Sequence, residues 1–592
     1  MPYDGLFAAA ARAELHKELS GARIHKIHQP DGHTIVLQCR QPGRMHQLLI
    51  SCDPQHPRAY LTGSAPPHPV RPPAFCMLLR KHLEPARIAA VEQAGLDRVL
   101  RIVCEAVQGP QARVRRVLVA ELTGRHGNIV LVDGESGRVL DAIRRRSAGE
   151  MRGALAPGEP YEPPPAKPKA DPRSASPQDI QLALLRAPAA WPVERALMEL
   201  YDGLGPFAAR EVAARAGVPV RAQLDALSAD DLDQISRALA SLGDAVRSER
   251  FSPVVLRDEA GRAQEFWAFE PFGAQEATME RCTGPSEAAD AYYRERLDRL
   301  AREQWQKRLQ RVVSDARERL VRKAAALEQD MAQAQRAGEF RLYGELLLAN
   351  LHRIERGSQA TVPNYHAGGA PVTIPLDPAL SVAENAHRYY KRYAKARTAK
   401  AKLESQLAAV RADIAYLDQT AVHLEMAEGR EDLQAIEAEL IAAGFLSPAS
   451  EEHAKRRPSE APVSLGPLEA RTSDGSRVLI GRNNRQNDRL TLKEARPDDI
   501  WLHVKDAPGA HVILKPASPE PSPEALLEAA RAAAYFSKAR GASNVPVDWT
   551  RARYVRKPRG ARPGMVIYDH HRTLYVTPDE AAVQAWLAMS RR

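Results

Sequence analysis

The chain has 592 residues, 44% of them hydrophobic, with a net charge of +10 and a pI near 9.3. At roughly 100–200 residues per domain this length calls for about three to five domains. The composition is that of globular protein and no window approaches the ~18 consecutive apolar residues of a membrane-crossing helix. Five scattered cysteines, with no Cys-x-x-Cys and no metal-ligand spacing, exclude a disulfide scaffold and read as reduced, buried thiols of a cytosolic protein. The basic excess fits a polyanionic partner such as nucleic acid, and equally a protein with solvated charged faces.

The N-terminal segment carries acids and lacks an uninterrupted apolar stretch, so it does not read as a signal peptide. Leu6 to Leu19 predicts an amphipathic helix. Strands are expected at Thr34–Gln38, Gln47–Ser51, Val99–Val103, Val117–Leu122 and Asn128–Val132, and a helix at Pro72–Leu83. Hairpin order makes 1–155 an α+β domain.

Residues 157–177 contain eight prolines, so 156–177 reads as an extended connector. An all-helical segment spans 178–244. Within it, Asp202-Gly203-Leu204-Gly205-Pro206 precedes a second helix, the pattern of a helix-hairpin-helix. Backbone N–H groups at Gly203 and Gly205 can hold a phosphate at a helix start, or the pair is an ordinary glycine-capped turn. Residues 245–285 read as a small β extension.

Two long helices follow, about 286–338 and 381–442. Leu309, Val312, Ala316, Leu320, Ala324, Leu327 and Met331 form one seam, and Leu403, Leu407, Val410, Ile414, Leu417, Ala421 and Leu424 another. Gaps of three and four predict an antiparallel coiled coil over 286–445. Its tip, 343–380, is a structured knob, which makes the pair an arm rather than a dimer seam. A Pro/Ser-rich linker at 446–464 leads to a last α/β domain, 465–592, where Lys and Arg outnumber Asp and Glu 21 to 14. The stretch Arg551 to Arg562 contains no acid.

The densest chemistry lies in this last domain. Gly481-Arg482-Asn483-Asn484-Arg485-Gln486-Asn487-Asp488 is followed by Asp499-Ile500-Trp501-Leu502-His503-Val504-Lys505-Asp506 and Pro508-Gly509-Ala510-His511-Val512. Earlier come Leu96-Asp97-Arg98, Glu121 to Asn128, Tyr343-Gly344-Glu345-Leu346-Leu347 with Ala349-Asn350, Leu376-Asp377-Pro378, and Glu384-Asn385-Ala386 with Tyr389 to Tyr393. Tyr554-Val555-Arg556-Lys557-Pro558 with Pro563-Gly564 closes the series.

In this order these stretches resemble the NFACT family, over nearly the whole chain. The resemblance implies a multidomain α+β fold: an NFACT-N head, a helix-hairpin-helix, a long antiparallel coiled coil with a structured tip, and an NFACT-R RNA-binding domain. It also implies a cytoplasmic ribosome quality-control factor that binds a large ribosomal subunit (23S rRNA and stalk-base region) obstructed by peptidyl-tRNA. Such a factor recruits alanyl-tRNA and promotes template-free addition of C-terminal alanines to the nascent chain, with peptidyl transfer left to the ribosome. Asp97 and Arg98 are then tRNA-binding residues, joined by Arg125 and His126.

The residues themselves allow two readings at each place. Asp97-Arg98 is either a surface ion pair at a strand start, or a nucleotide reader in which Arg forks to phosphate or a base edge and Asp accepts from an exocyclic amine. Arg125-His126 is either turn chemistry or a tRNA contact. Asn483, Asn484, Arg485, Gln486 and Asn487 are either a hydrogen-bonded turn or, as so many multidentate side chains suggest, an RNA surface. Trp501 is expected in the core, His503 and Lys505 toward RNA, and His511 in either place. Arg556, Lys557 and Arg559 are expected on phosphates. No Walker A, Gly-x-Ser-x-Gly or His-Glu-x-x-His motif is present, so neither cofactor, metal nor catalytic centre is expected. A surface adhesin binding fibronectin and a relative of helix-hairpin-helix DNA glycosylases are the alternatives. The first is opposed by the basic RNA-like module, the second by Met1-Pro2-Tyr3, which lacks the Pro-Glu start of those enzymes.

Overall fold

The computed structural model describes residues 3–84, 86–108, 112–146, 155–165, 168–272, 278–335, 337–448 and 466–590. They fall into two compact units, one up to Leu300 and one from Ala301 onward.

In the first unit, α1 (Gly5–Leu19) starts at Asp4, whose carboxylate accepts the Phe7 N–H at 2.9 Å. The apolar pattern suggested a helix with one wet face. Instead Gly5 through Ala11 are buried all round, because α1 is packed between strands and helices and Phe7 meets Phe266 edge-on at 4.6 Å. The central sheet is antiparallel throughout. It comprises β1 (Arg23–His28), β2 (Thr34–Gln41), β3 (Arg44–Ser51), β4 (Arg58–Leu61), β5 (Arg87–Gln93), β6 (Val99–Gln108), β7 (Ala112–Glu121), β8 (Asn128–Asp133) and β9 (Val139–Ala142), in the order β4-β3-β2-β1-β5-β6-β7-β8-β9. The helix α2 (Ala74–Leu83) lies between β4 and β5 in the chain.

Four of these strands left little trace in the sequence. Register shifts between Ile24 and Lys26 in β1, and between Ile88 and Ala90 in β5, break the alternation that marks a strand. The other two, β4 and β9, are four residues long.

Four helices pack on the same core: α3 (Pro177–Arg186), α4 (Val193–Leu200), α5 (Pro206–Arg215) and α6 (Ala229–Arg247). Capping boxes at Ser176/Asp179 and Ser228/Asp231 fix the starts of α3 and α6. The proline-rich connector is tied down by bridges from Arg138 to Pro160 and from Ala170 to Tyr201. A three-stranded sheet, β10 (Val254–Arg257), β11 (Ala263–Trp267) and β12 (Met279–Arg281), adds Phe266 and Trp267 to the core.

The helix α7 (Pro285–Gln335) runs into the second unit and is followed by α8 (Ala337–Ala349). The hairpin β13 (Gln359–Asn364) and β14 (Ala370–Pro375) leads to α9 (Val382–Glu425), then α10 (Arg430–Ala442). The two long helices pair in opposite directions, Leu309, Val313 and Ala316 meeting Tyr416 and Leu417, and Ala324 and Leu327 meeting Leu407 and Val410. The seam of α7 uses Val313 where the heptad reading chose Val312, one residue along. The residues of the tip, 343–380, begin inside α8, whose Leu346 and Leu347 cover the hairpin.

The C-terminal module has a six-stranded antiparallel sheet. Its strands are β15 (Leu468–Arg471), β16 (Arg477–Ile480), β17 (Ile500–Val504), β18 (Val512–Lys515), β19 (Val545–Arg551) and β22 (Arg572–Val576), in the order β15-β16-β18-β17-β19-β22. A two-stranded ladder, β20 (Val555–Arg556) and β21 (Ile567–Tyr568), stands apart. Three helices complete it: α11 (Asn484–Arg489), α12 (Pro523–Tyr535) and α13 (Glu580–Ser590). Alternation along β17 sends Ile500, Leu502 and Val504 into the core shared with α12, and Trp501 into a smaller cluster with Leu479, Ile513 and Val555.

Candidate nucleic-acid interface

In the first unit a cleft of about 800 Å³ brings together segments far apart in sequence. The loop 94–98 between β5 and β6, the start of α1, the turn 202–206 before α5, Thr123 and His126, Pro163 to Pro165 and Lys169 all line it. Asp97, Arg98, His126, Gly203 and Gly205 therefore share one concave site. Arg125 is exposed on the same short turn, Gly124–His126, between β7 and β8. The proline-rich connector is a wall of this cleft rather than a free spacer.

Close backbone contact builds the site. Gly5 donates its N–H to the Gly203 carbonyl at 3.0 Å, and a Cβ on Gly5 would stand 2.0 Å from the Leu96 carbonyl oxygen. Gly203 itself has φ +80, where a side chain is strained. Asp202 accepts the Leu96 N–H at 3.1 Å, and Gln93 donates to the Asp97 carbonyl at 2.9 Å. Asp97 accepts the Arg98 backbone N–H at 2.7 Å, which fixes the carboxylate at the strand start.

The same geometry occupies the Gly203 and Gly205 N–H groups that were expected to hold a phosphate. The Gly203 N–H is spent on the Asp202 carboxylate at 2.9 Å, and the Gly205 N–H on Asp4. Two carboxylates thus accept from this turn. Asp4 was not singled out from sequence, although an Asp directly before an apolar helical run is an N-cap signal. Burial pushes its carboxyl up to about 6, against the pull of the Phe7 and Gly205 N–H groups and of the Arg98 charge.

In the second unit the polar run 483–487 is placed differently from the expected RNA surface. Asn483 caps α11, accepting the Gln486 N–H at 2.9 Å. Asn484 is fully buried and donates to Glu439 at 2.7 Å and to Thr420 at 3.0 Å. Asn487 is buried and accepts the His511 N–H at 3.1 Å, while Gln486 accepts the Arg482 N–H at 3.0 Å. Arg485 has an exposed side chain. The surface reading thus fails for Asn483, Asn484 and Asn487, which are buried, and the partners of Asn484 and Asn487 come from distant segments.

His511 is interior, its Nδ1 2.8 Å from the Thr491 hydroxyl. His503 is half-buried, stacked on Trp501, with Nε2 3.2 Å from the Gly509 carbonyl. Lys505, Arg556 and Arg559 are exposed, and Arg556 lies 3.2 Å from Asp569. Lys557 is paired with Asp488, so part of its charge is used inside the fold. Exposed aromatics accompany the basic residues of this module. Tyr554, inside the run, packs on His570 at 4.6 Å under Arg553, and Tyr575, not singled out from sequence, is 64% exposed on the edge strand β22. Arginine beside exposed rings suits stacking on unpaired bases.

The chain matches the NFACT N-terminal and middle domains over residues 4–459 and the NFACT protein RNA binding domain over residues 468–568. It belongs to the NFACT family. Among NFACT relatives it is 36% identical to the protein named Rqc2 homolog RqcH of Bacillus subtilis (strain 168), over 98% of this chain and 99% of that one. The protein of the same name from Streptococcus pneumoniae serotype 2 is 32% identical over 98% of this chain and 99% of its own. Homo sapiens "Ribosome quality control complex subunit NEMF" is 30% identical over 138 residues, 23% of this chain and 12% of that protein. Two solved structures from Streptococcus suis, the N- and C-terminal parts of a fibronectin/fibrinogen-binding protein, align with TM-scores of 0.41 and 0.39 and identities of 27% and 30%. They cover 49% and 48% of this chain, and 99% and 98% of their own. Among the described residues no helix is long and apolar enough to cross a membrane, and no group of three or more His, Cys, Asp or Glu side chains could hold a metal ion.

Proposed function

We propose that this NFACT protein is a ribosome quality-control factor of the RqcH kind, acting in the cytoplasm by binding and positioning rather than by catalysis. It binds a large ribosomal subunit obstructed by peptidyl-tRNA, recruits a tRNA, by family analogy alanyl-tRNA, and promotes template-free alanine addition, with the ribosome forming each peptide bond. The observation that carries the reading is the cleft that gathers Asp97, Arg98 and His126. An acid beside a base, held by backbone contacts in a concave site, can read an unstacked nucleotide, because the acid accepts from an exocyclic amine, which two basic residues cannot do. The α7–α9 pair serves as an antiparallel coiled-coil arm. The α4–α5 turn is a helix-hairpin-helix whose glycines hold the cleft together. Lys505, Arg556 and Arg559 contact ribosomal RNA.

The test is affinity purification with sequencing of bound RNA. Large-subunit RNA with one enriched tRNA is expected. The double variant Asp97→Ala/Arg98→Ala should melt like the parent, keep the ribosomal RNA and lose the tRNA, since each bidentate base contact is worth about 1–3 kcal/mol. Unchanged tRNA enrichment in a normally melting variant would sink the assignment of this cleft.

A further inference from the structure

The second unit contains a buried polar seam that the function above does not use. On one side are the end of α9 and α10. On the other is the C-terminal module, through the signature 482–487, Gly509 and Arg562. At its centre the Glu439 carboxylate, 2% exposed, receives the Asn484 amide at 2.7 Å, the Tyr416 hydroxyl at 2.8 Å and the Arg485 N–H at 3.4 Å. Burial pushes this carboxyl up from its ordinary range, and those donors pull it back. Thr420 accepts from Asn484 and donates to the Tyr416 carbonyl at 2.8 Å. Gln419 forms a two-way amide pair with the Gly509 backbone, accepting its N–H at 3.0 Å and donating to its carbonyl. Arg482 pairs with Asp432, both nearly buried, and Asp432 also caps α10 by accepting the Glu428 and Gly429 N–H groups at 3.2 Å. Arg562 reaches Asp413 at 2.8 Å and lies over Tyr416 and Phe445 at 5.7 and 5.3 Å.

An apolar contact of this extent would tolerate sliding. A seam of buried donors and acceptors does not, because any other placement leaves a carboxylate or an amide buried without its partner. We propose that this seam is a positioning device that locks the RNA-binding module in one placement on the base of the helix pair. Asn484, Arg482, Gln419, Glu439 and Arg562 are its positioning residues. The Asn-rich signature is then a docking motif, not a set of RNA contacts. Its consequence rests on the function proposed above: the helix pair and the module engage one large subunit as a rigid two-point binder, and the second contact forms at a high effective concentration.

The test uses the full chain with spin labels at Lys402→Cys and Glu524→Cys in a Cys282→Ser background, the other four thiols being buried. Pulsed electron–electron distance measurement should give one narrow distribution. Gln419→Ala/Glu439→Ala, which alters only the helix side, should broaden it, and so should Asn484→Ala on the module side. Arg562→Gln, whose side chain is a third exposed, repeats the test without emptying a buried position. A broad distribution in the parent, or a narrow unchanged one in all these variants, would overturn the seam as a lock. Affinity for purified large subunits should then fall about 10- to 100-fold in the broadened variants, with the slope against log salt unchanged. A lowered slope for Asn484→Ala alone would return it to the RNA contacts. Failure of the parent to bind large subunits would refute the proposed function while leaving the distance result intact.

Discussion

At the scale of single residues, Asp4 shows how burial sets the chemistry of the cleft. Its carboxyl titrates near 6, above the ordinary value of about 3.9, so at pH 7 it is charged and offsets Arg98. The cost of burying that charge is present above pH 6 and is relieved as pH falls toward the unfolded value. Protonation also makes the cleft more positive. Cleft-dependent tRNA binding is therefore predicted to strengthen between pH 7 and pH 5.5. Asp4→Asn keeps an N-cap acceptor, so at pH 7.5 it should bind more tightly than the parent and show a weaker pH dependence. A tRNA titration at both pH values checks this, and parallel curves for parent and variant would refute it. Gly5 is the complementary case. Gly5→Ala forces a methyl against the Leu96 carbonyl, and a loss of at least about 1–3 kcal/mol in urea unfolding is expected.

At the scale of elements, α9 carries one residue at odds with its surroundings. His423 is buried with neither ring nitrogen hydrogen-bonded, and burial pushes its pKa down to about 3. His511 is likewise pushed well down by burial. Both are neutral in the fold, while the unfolded chain takes up protons below about pH 6.5. The stability of the second unit is thus complete above that value and is lost as pH falls through it. His423→Leu removes two unsatisfied polar atoms and one proton site. It should raise stability at pH 7.5 by about 1–3 kcal/mol and reduce the loss at pH 5.5, measured by denaturant unfolding at the two pH values. A destabilised variant would mean that His423 has a partner supplied in solution.

At the scale of the whole molecule, the basic surface of the C-terminal module should show itself through salt. Arg556 and Arg559 are exposed, whereas Lys557 is committed to Asp488. Arg556→Ala/Arg559→Ala is predicted to lower the slope of log affinity for large subunits against log salt by about 1 per residue lost. Lys557→Ala should change the slope less and the melting temperature more. Equal slopes for all variants would remove this run from the interface.

Local chemistry is legible in the sequence: apolar spacing specified the long helices, alternation specified five strands of the head, and ordered motifs specified the NFACT family. Asp97, Arg98 and His126, expected from that resemblance, line one cleft. The rest depends on partners distant in the chain. Asn484 reads as surface until Glu439, 45 residues earlier, is found against it. The glycines at 203 and 205 read as a phosphate cradle until Asp202 and Asp4 take their N–H groups. The physical reason is the same in both cases. A polar side chain is equally at home in water or against a buried partner, so its sequence signal does not distinguish the two, and only the fold supplies or withholds the partner.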